Sequence, residues 1–418
     1  MSSLSSASIG SLARGAGGGL PALQAQQREQ HVRWLAEVTS IPSAAGREQR
    51  VVNWLERFVA ERPAWRMSKD PVGNLIVERS AKSDASTSGR PIFITAHLDH
   101  PAFVVERVIS PSVFEVSFRG GVMDDYFKDA RVVAYDSNDQ PHRGVLTGTM
   151  PGPDNGHAGP FKHYLFELDR ATDALTIGDV AVWDIGPAEV IDNQMHTLAC
   201  DDLSAVAAMA CMLDVLQHVE PTQDVRFLFT RAEEVGFIGA IAAIRHGTMP
   251  KDSRVIALEN SRAFPESPIH GGPIVRVGDR MSVFSPVLTD AIAKRAEEIA
   301  GAPSTVTASQ KLAQLPQWRW QRKLMAGGAC EASVYFNAGY EATCVCLPLG
   351  NYHNMADLTA VQAGTNATPA KVGREFIGID DFHALVDLLL ACAVKLPESG
   401  KKGELFEKLW NERNFVLA

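Results

Sequence analysis

The spacing of apolar residues divides the chain into an α/β part and an interrupting β-rich part. Between residues 27 and 63, apolar residues recur at helical spacing in two stretches, and Ser43 in the intervening "SIPSAAG" is a candidate N-cap for the second helix. "NLIVERS" and "PIFITAHLD" then read as strands. After Asp201, helix-like and strand-like runs alternate to the end of the chain. This alternation predicts an α/β fold with a mixed, mostly parallel sheet and helices on both faces.

The β-rich part lies between Pro101 and about Met195. Helical periodicity fades there, and short runs such as "AFVVERVI", "VFEVSFRGG" and "ARVVAYD" are separated by Gly, Pro, Asn and Asp. We therefore expect an α/β domain made of residues 27–100 and 196–418, with a small β insert at 101–195. Residues 1–26 are rich in Ser, Gly and Ala and are expected to form a disordered tail.

Composition narrows the class of protein. The 418 residues include 40 basic and 49 acidic side chains, a formal charge of −9, without a dense basic cluster, so we expect no nucleic-acid partner. No apolar stretch approaches the roughly 18 residues of a membrane span, and the N-terminus lacks the apolar segment of a signal peptide. The six cysteines form no CxxC pair and lie mostly in apolar runs. These features predict buried thiols in a reducing compartment and a cytoplasmic protein without a membrane partner.

Histidines and carboxylates gather where the predicted strands end or at adjoining turns. The residues concerned are His97, Asp99, Asp201, Asp202, Glu233, Glu234, Glu259 and His353. Ligands of open α/β sheets bind at the carboxyl ends of the strands, so these side chains can meet at one edge. Imidazole and carboxylate ligands without cysteine suit zinc, manganese or cobalt in a hydrolytic site. So many buried like charges also require cations, since they would otherwise become protonated.

Each motif also has an ordinary structural interpretation. "DD" before a helix is commonly an N-cap, "EE" is commonly a solvated pair, and His353 in "GNYHN" fits a turn. The apolar run "FLF" before Glu233 argues against a free surface pair. The shared placement of all these motifs at strand ends favours a metal site over independent structural roles.

The motifs occur in an order that resembles a known family. "HLDHPAFVVERV", "CDD", "EEVGFIGA", "ALEN", "GGPIVRVGD" and "PLGNYHN" are similar to the co-catalytic dinuclear zinc peptidases, most of all to the glutamyl and tetrahedral aminopeptidases. The resemblance runs from about residue 30 to 395. It implies peptide substrates, a β-barrel insert directly after the His-x-Asp strand, and a homo-oligomer, a dimer or larger, that assembles through this insert.

The resemblance also implies a metal-ligand set. His97 and Glu259 would hold one divalent ion, Glu234 and His353 would hold a second, and Asp201 would bridge them, with Asp202 as the alternative bridge. The two ions would be zinc, with cobalt or manganese as alternatives. Glu259 stands where this family usually has aspartate, and a longer carboxylate can still coordinate.

Two further residues would serve catalysis. Glu233 would be the general base, and Asp99 would orient His97 from behind. The segment "GGACEAS" places Glu331 where the family has aspartate, and "PLGNYHN" lacks an arginine that many members carry there. Both departures border the substrate side of the site.

Three functions fit the sequence. The favoured one is a metal-dependent aminopeptidase that acts on short peptides. The second is a deacylase or carboxypeptidase-type amidohydrolase with the same dinuclear site. The third is a non-enzymatic assembly module, which predicts the loss of a ligand or of the base, and neither is lost.

Overall fold

The computed structural model describes residues 23–80, 89–151, 161–219, 223–304, 318–397 and 403–417. Most of the tail that was expected to be disordered, residues 1–22, lies outside these ranges, and the first helix begins at Ala25. Among the described helices, none combines the length and apolar character needed to cross a membrane.

A mixed sheet of eight strands forms the centre of the α/β part. In spatial order it contains β1 (Trp65–Lys69), β2 (Leu75–Arg79), β12 (Val225–Thr230), β3 (Ile92–His97), β13 (Arg254–Arg262), β16 (Glu341–Leu349), β14 (Ile274–Asp279) and β15 (Gln321–Met325). The four central strands β12, β3, β13 and β16 run parallel to one another, while β2 and β14 pair antiparallel with this group. The carboxyl ends of the central strands therefore meet at one edge, as predicted.

Helices cover both faces of this sheet. They are α1 (Ala25–Val38), α2 (Gln49–Ala60), α3 (Leu203–Leu216), α4 (Ile238–His246), α5 (Pro286–Ala300), α6 (Glu331–Asn337) and α8 (Ile379–Val394). Helix α7 (Leu358–Ala363) instead contributes Leu358 and Val361 to a core shared with the β insert, and α9 (Gly403–Arg413) contacts the 3-10 turn that follows it. Helix α3 packs against α1 and α8 and is buried on nearly every side, which explains its uniformly apolar sequence. Helices α4 and α6 share a second core with Phe93 and Leu228 on the opposite face. The predicted fold class is confirmed.

The start of the second helix differs from the expectation. Helix α2 begins at Gln49, with Glu48 at the N-cap position, so the assignment of Ser43 as the N-cap is wrong. The Ser43 hydroxyl instead donates a hydrogen bond to the Leu98 carbonyl oxygen at 2.6 Å. A tertiary partner has replaced the local cap because the loop before α2 lies against the end of β3.

Six strands of the insert close into an antiparallel barrel. In chain order they are β4 (Ala102–Ser110), β5 (Val113–Arg119), β6 (Arg131–Tyr135), β7 (Pro141–Met150), β8 (Lys162–Leu168) and β9 (Val180–Trp183). Aromatic rings fill the interior, with Phe103 edge-on to both Phe118 and Trp183. A small sheet of β10 (Glu189–Ile191), β11 (Gln194–Thr197) and β17 (Glu375–Gly378) follows. Because β4 starts five residues after His97 ends β3, the barrel lies beside the candidate site.

Candidate metal and catalytic site

The structure brings all the predicted site residues to the carboxyl edge of the central strands. His97 ends β3, Glu259 lies in the second half of β13, and Glu233 follows β12 by three residues. His353 follows β16, and Asp201 lies two residues before the start of α3. All five residues are buried. Residues far apart in sequence are neighbours here because the parallel strands end at one edge.

Asp201 lies between the two histidines. Its Oδ1 is 3.4 Å from His97 Nε2, and its Oδ2 is 3.6 Å from His353 Nε2. The Oδ1 atom is buried and has no hydrogen-bond partner among the described residues. A carboxylate with one oxygen directed at each imidazole has the arrangement that a bridging metal ligand requires.

Two glutamates face His97. Its Nε2 atom is 3.9 Å from Glu233 Oε2 and 4.0 Å from Glu259 Oε1. His97, Glu233 and Glu259 offer ligand atoms within 4.8 Å of one another, and so do His97, Asp201 and Glu234. An ion held by His97 is therefore within reach of the carboxylates of both groups.

His353 and Glu234 form the other half of the cluster. His353 Nε2 is 3.4 Å from Glu234 Oε2, while its Nδ1 lies 2.6 Å from the carbonyl oxygen of Gly121 in the barrel. A carbonyl oxygen can only accept a hydrogen bond, so Nδ1 carries the hydrogen. Nε2 then directs its lone pair toward the cluster. The barrel thus fixes the orientation of a candidate ligand.

The Asp99 carboxylate contacts the glutamate turn more closely than it contacts His97. Its Oδ1 accepts a hydrogen bond from the Glu233 amide at 2.9 Å, and its Oδ2 accepts one from the Glu234 amide at 3.0 Å. His97 Nδ1 lies 3.1 Å from the Asp99 carbonyl oxygen and 3.7 Å from its carboxylate. Asp99 therefore contacts the imidazole through its main chain and the "EE" turn through its side chain.

The buried carboxylates of the site need positive charge nearby if they are to stay ionised. Burial, reinforced by neighbouring carboxylates, raises the pKa of Glu233 and Glu234 well above the ordinary value and that of Glu259 to about 7. Burial opposes protonation of His97, but Glu233, Asp201 and Glu259 outweigh it and raise the pKa of the imidazole. Without cations these groups would bind protons, whereas bound divalent ions would keep the carboxylates ionised. The donor set and the unpartnered Asp201 Oδ1 both fit metal binding.

Glu375 and His100 support the site and were not predicted. Glu375 is fully buried, and its carboxylate accepts hydrogen bonds from the amides of Cys200 at 2.7 Å, Asp201 at 3.0 Å and His353 at 2.8 Å. His100 Nδ1 lies 2.5 Å from the Asp201 carbonyl oxygen. Glu375 carries no recognisable motif, whereas His100 stands next to the His-x-Asp segment and could have been found there.

Asp202 and Glu331 lie next to the cluster. Asp202 Oδ2 accepts a hydrogen bond from the His97 amide at 3.3 Å, and its side chain does not cap α3. Glu331 begins α6 and is buried, which raises the pKa of its carboxyl to about 7. Its side chain is not among those that line the cavity beside Glu259.

This cavity of about 190 Å³ adjoins Glu259 and contains two arginines. Arg276 on β14 is buried, and its Nη1 donates to Ser261 Oγ at 3.3 Å. Its nearest carboxylate oxygen, on Asp279, is 4.0 Å away, and its Nε has no partner in the described part of the chain. Arg262 also lines the cavity, but its guanidinium donates to Gln362 and to a threonine of α7. Arg276 was not predicted because a lone arginine in a strand carries no signal.

Comparisons with known proteins give a family and a fold. The family model of the M42 glutamyl aminopeptidases matches residues 73–368. The aminopeptidase APDkam598 of the archaeon Desulfurococcus kamchatkensis has a TM-score of 0.67 at 20% identity, over 88% of this chain and 95% of that chain. The TET1 peptidase of Pyrococcus horikoshii, described as able to assemble into a tetrahedron or a large octahedral shell, has a TM-score of 0.65 at 20% identity, over 88% and 100%.

A more distant structural match is an M18-family aminopeptidase of Thermotoga maritima. Its TM-score is 0.56 at 14% identity, over 89% of this chain and 98% of that chain. At such identities the structural likeness shows the fold alone. No curated protein sequence matches the chain significantly.

Proposed function

Because this chain belongs to the M42 glutamyl aminopeptidase family and is a metal-dependent aminopeptidase, we propose that it removes acidic residues from the free amino termini of short peptides. The observation that carries the catalytic part is the position of Asp201 between His97 and His353, with Glu233 beside them. The observation that carries the acidic preference is the buried Arg276 in the adjoining cavity.

The proposed metal ligands are five. His97 and Glu259 would hold one divalent ion, Glu234 and His353 would hold the other, and Asp201 would contribute to both. We propose zinc, with cobalt or manganese as alternatives, since all three accept imidazole and carboxylate. Bound there, such ions would polarise the scissile carbonyl and lower the pKa of the attacking water.

Glu233 is the proposed general base. Its carboxylate accepts the proton of the attacking water and returns it to the nitrogen of the leaving amine, so the peptide bond breaks without net proton uptake. Its backbone amide is held by Asp99, and this contact leaves the side-chain oxygens free for proton transfer. Glu234 cannot share this role if it is held by a metal.

Arg276 is the proposed contact for the acidic side chain of the substrate. A buried guanidinium that makes a single hydrogen bond is costly, and a carboxylate that enters the cavity supplies the missing partner. Glu259 lines the same cavity and provides negative charge, which favours a free α-amine. The cavity thus offers a partner to each of the two charges of an N-terminal acidic residue.

A substrate panel tests this proposal. We expect glutamyl- and aspartyl-anilides to be cleaved with a kcat/KM at least about 10-fold above that for leucyl-anilide, since one charge-assisted hydrogen bond is worth about 1.5–3 kcal/mol. Arg276→Met should reduce this preference and spare leucyl-anilide. An enzyme that prefers leucyl-anilide, or whose preference survives Arg276→Met, contradicts the assignment of Arg276.

The Arg276 guanidinium would also suit one alternative function, which the same panel can test. A deacylase that acts on N-acyl amino acids also needs a positive group, in that case for the substrate α-carboxylate. N-acetylglutamate should therefore accompany the anilides in the panel. Cleavage of N-acetylglutamate with glutamyl-anilide untouched would replace the aminopeptidase proposal by the deacylase.

The barrel is the proposed assembly surface of a homo-oligomer. The support is the Pyrococcus horikoshii TET1 peptidase, which shares this fold and can assemble into a tetrahedron or a large octahedral shell. We further propose a cytoplasmic location, supported by six free and buried cysteines.

Light scattering on the full-length protein tests the assembly. We expect a mass of at least twice the 45.3 kDa of one chain at micromolar concentration, because related subunits assemble into closed shells. Replacement of the exposed barrel residues Val108 and Ile109 by aspartate should lower that mass if the barrel forms the contact. A strictly monomeric wild-type protein contradicts the proposal.

A further inference from the structure

The turn that carries Glu233 and Glu234 is held by side chains from three other segments. Four consecutive amides of this turn each donate a hydrogen bond to a side-chain oxygen. The bonds run from Arg231 to Asn74 Oδ1 at 3.1 Å, from Ala232 to Glu48 Oε1 at 3.0 Å, from Glu233 to Asp99 Oδ1 at 2.9 Å, and from Glu234 to Asp99 Oδ2 at 3.0 Å. Such an arrangement fixes the backbone of the turn residue by residue.

Glu48, the acceptor for the Ala232 amide, is not among the proposed metal ligands or catalytic residues. It is fully buried, and its Oε1 also accepts a hydrogen bond from the Gly46 amide at 2.7 Å. Its Oε2 pairs with the Arg231 guanidinium, at 2.8 Å from Nε and 2.7 Å from Nη2. Both oxygens are therefore used, and both connect the loop before α2 with the glutamate turn.

The turn needs such support because its backbone is strained. Ala232 has a φ of 52°, in the left-handed region that a residue with a Cβ rarely adopts. On the other side, α4 packs directly against the turn, since a Cβ at Gly239 would lie 2.3 Å from the Arg231 carbonyl oxygen. Asn74 also bridges these two segments by donating to the Gly239 carbonyl oxygen at 2.9 Å.

The loop that contains Glu48 also touches the His-x-Asp segment. Ser43 donates to the carbonyl oxygen of Leu98, which lies between His97 and Asp99. One short loop, residues 43–48, therefore contacts both the strand end with a proposed ligand and the turn with the proposed base. A displacement of this loop would change the position of one relative to the other.

We propose that Glu48 is a positioning residue for Glu233, acting through the Ala232 amide and Arg231; this rests on the proposed role of Glu233 as the general base. Without the Glu48 carboxylate, the strained turn relaxes and moves the base away from the attacking water. A misplacement of about 1 Å can cost about 100-fold in rate. Glu48 makes no hydrogen bond to the proposed metal ligands, and the bond from the Glu234 amide to Asp99 Oδ2 remains in its absence, so we expect metal binding to persist.

Three variants separate positioning from simple stabilisation. Glu48→Ala removes the acceptor for Ala232 and the partner of Arg231, and we expect kcat to fall about 100-fold with KM within about twofold of wild type. Glu48→Gln keeps an oxygen for Ala232 and should recover most of that loss. Asp214→Asn is the matched control, because Asp214 pairs with Arg62 through Nε and Nη2 at the far end of α3. It should lower the melting temperature and leave kcat unchanged.

Metal content and a double variant complete the test. Metal per chain, measured by plasma mass spectrometry, should match wild type in both Glu48 variants. In the Glu233→Gln background, Glu48→Ala should lower the residual kcat less than twofold, because residues that act as a unit are non-additive. Three results would each overturn the proposal: a wild-type kcat in Glu48→Ala, loss of metal from a Glu48 variant, or a full further 100-fold loss of kcat in the double variant. If Glu48→Ala does not fold, Arg231→Gln takes its place, because it removes the ion pair with Glu48 from the side of the turn, and a wild-type kcat in that variant overturns the proposal. High activity of Glu233→Gln itself would instead refute the proposed base.

Discussion

The Glu233→Gln enzyme is expected to lose about three orders of magnitude in kcat and to retain its metal. The substitution keeps the size of the side chain and its amide contact with Asp99, but a carboxamide cannot accept the proton of the attacking water. General base catalysis contributes about 10²–10⁴-fold, which sets the expected loss. Steady-state kinetics on glutamyl-anilide and metal analysis of the same preparation measure both effects.

The neighbouring variant provides the contrast. Glu234→Gln removes a proposed ligand beside His353 and should lower both activity and metal content. The structure makes the opposite assignment a real competitor, since Glu233 Oε2 lies only 3.9 Å from His97 Nε2. If Glu233→Gln released metal while Glu234→Gln retained it, the two roles would be exchanged.

The parts of the site that sequence could predict are those attached to strong local patterns. The buried strands β3, β12 and β13 each contain an apolar run of at least three residues, and each run is followed by a charged residue that an apolar strand does not need. Parallel packing then places those ends together without further information. His97, Glu233 and Glu259 were found in this way because the period and the end of an apolar run are local signals.

The parts that sequence could not predict depend on tertiary partners. Glu375 is one acidic residue in a short strand, and its significance arises only because three amides from distant segments point at it. Arg276 likewise gains meaning from the cavity beside it. Ser43 shows the reverse case: its local pattern indicated a cap, but the Leu98 carbonyl oxygen provides a competing acceptor. Propensity is a weak guide wherever such long-range partners exist.

The same distinction applies to the glutamate pair. The sequence shows two adjacent like charges, and the structure shows that their turn is connected through Glu48, Asn74 and Asp99 to three other segments. Side chains that bond to the backbone of a functional turn have no fixed spacing from it. They can therefore be recognised only when the backbone amides and their acceptors are matched in space.

Asp201→Asn is expected to have the other largest effect, the release of both metals. Asp201 has one carboxylate oxygen 3.4 Å from His97 Nε2 and the other 3.6 Å from His353 Nε2, so among the described residues it is the one carboxylate paired with both histidines. An amide nitrogen in place of one oxygen cannot coordinate a cation, and the lost negative charge weakens both positions. We expect activity to fall by at least about 100-fold, as for a disrupted metal environment.

Metal stoichiometry distinguishes this bridge from a ligand of one ion. Wild-type protein saturated with zinc and then desalted should retain two ions per chain, the number typical of such bridged sites. Asp201→Asn should retain fewer than one, whereas Glu234→Gln and Glu259→Gln should each lose a single ion. Chelation of the wild type should abolish activity, and zinc, cobalt or manganese should restore it. The bridging role would be contradicted if Asp201→Asn retained two ions or if Glu234→Gln lost both. A bridging ligand contacts both ions, so its removal weakens both, whereas removal of a ligand to one ion weakens that ion alone.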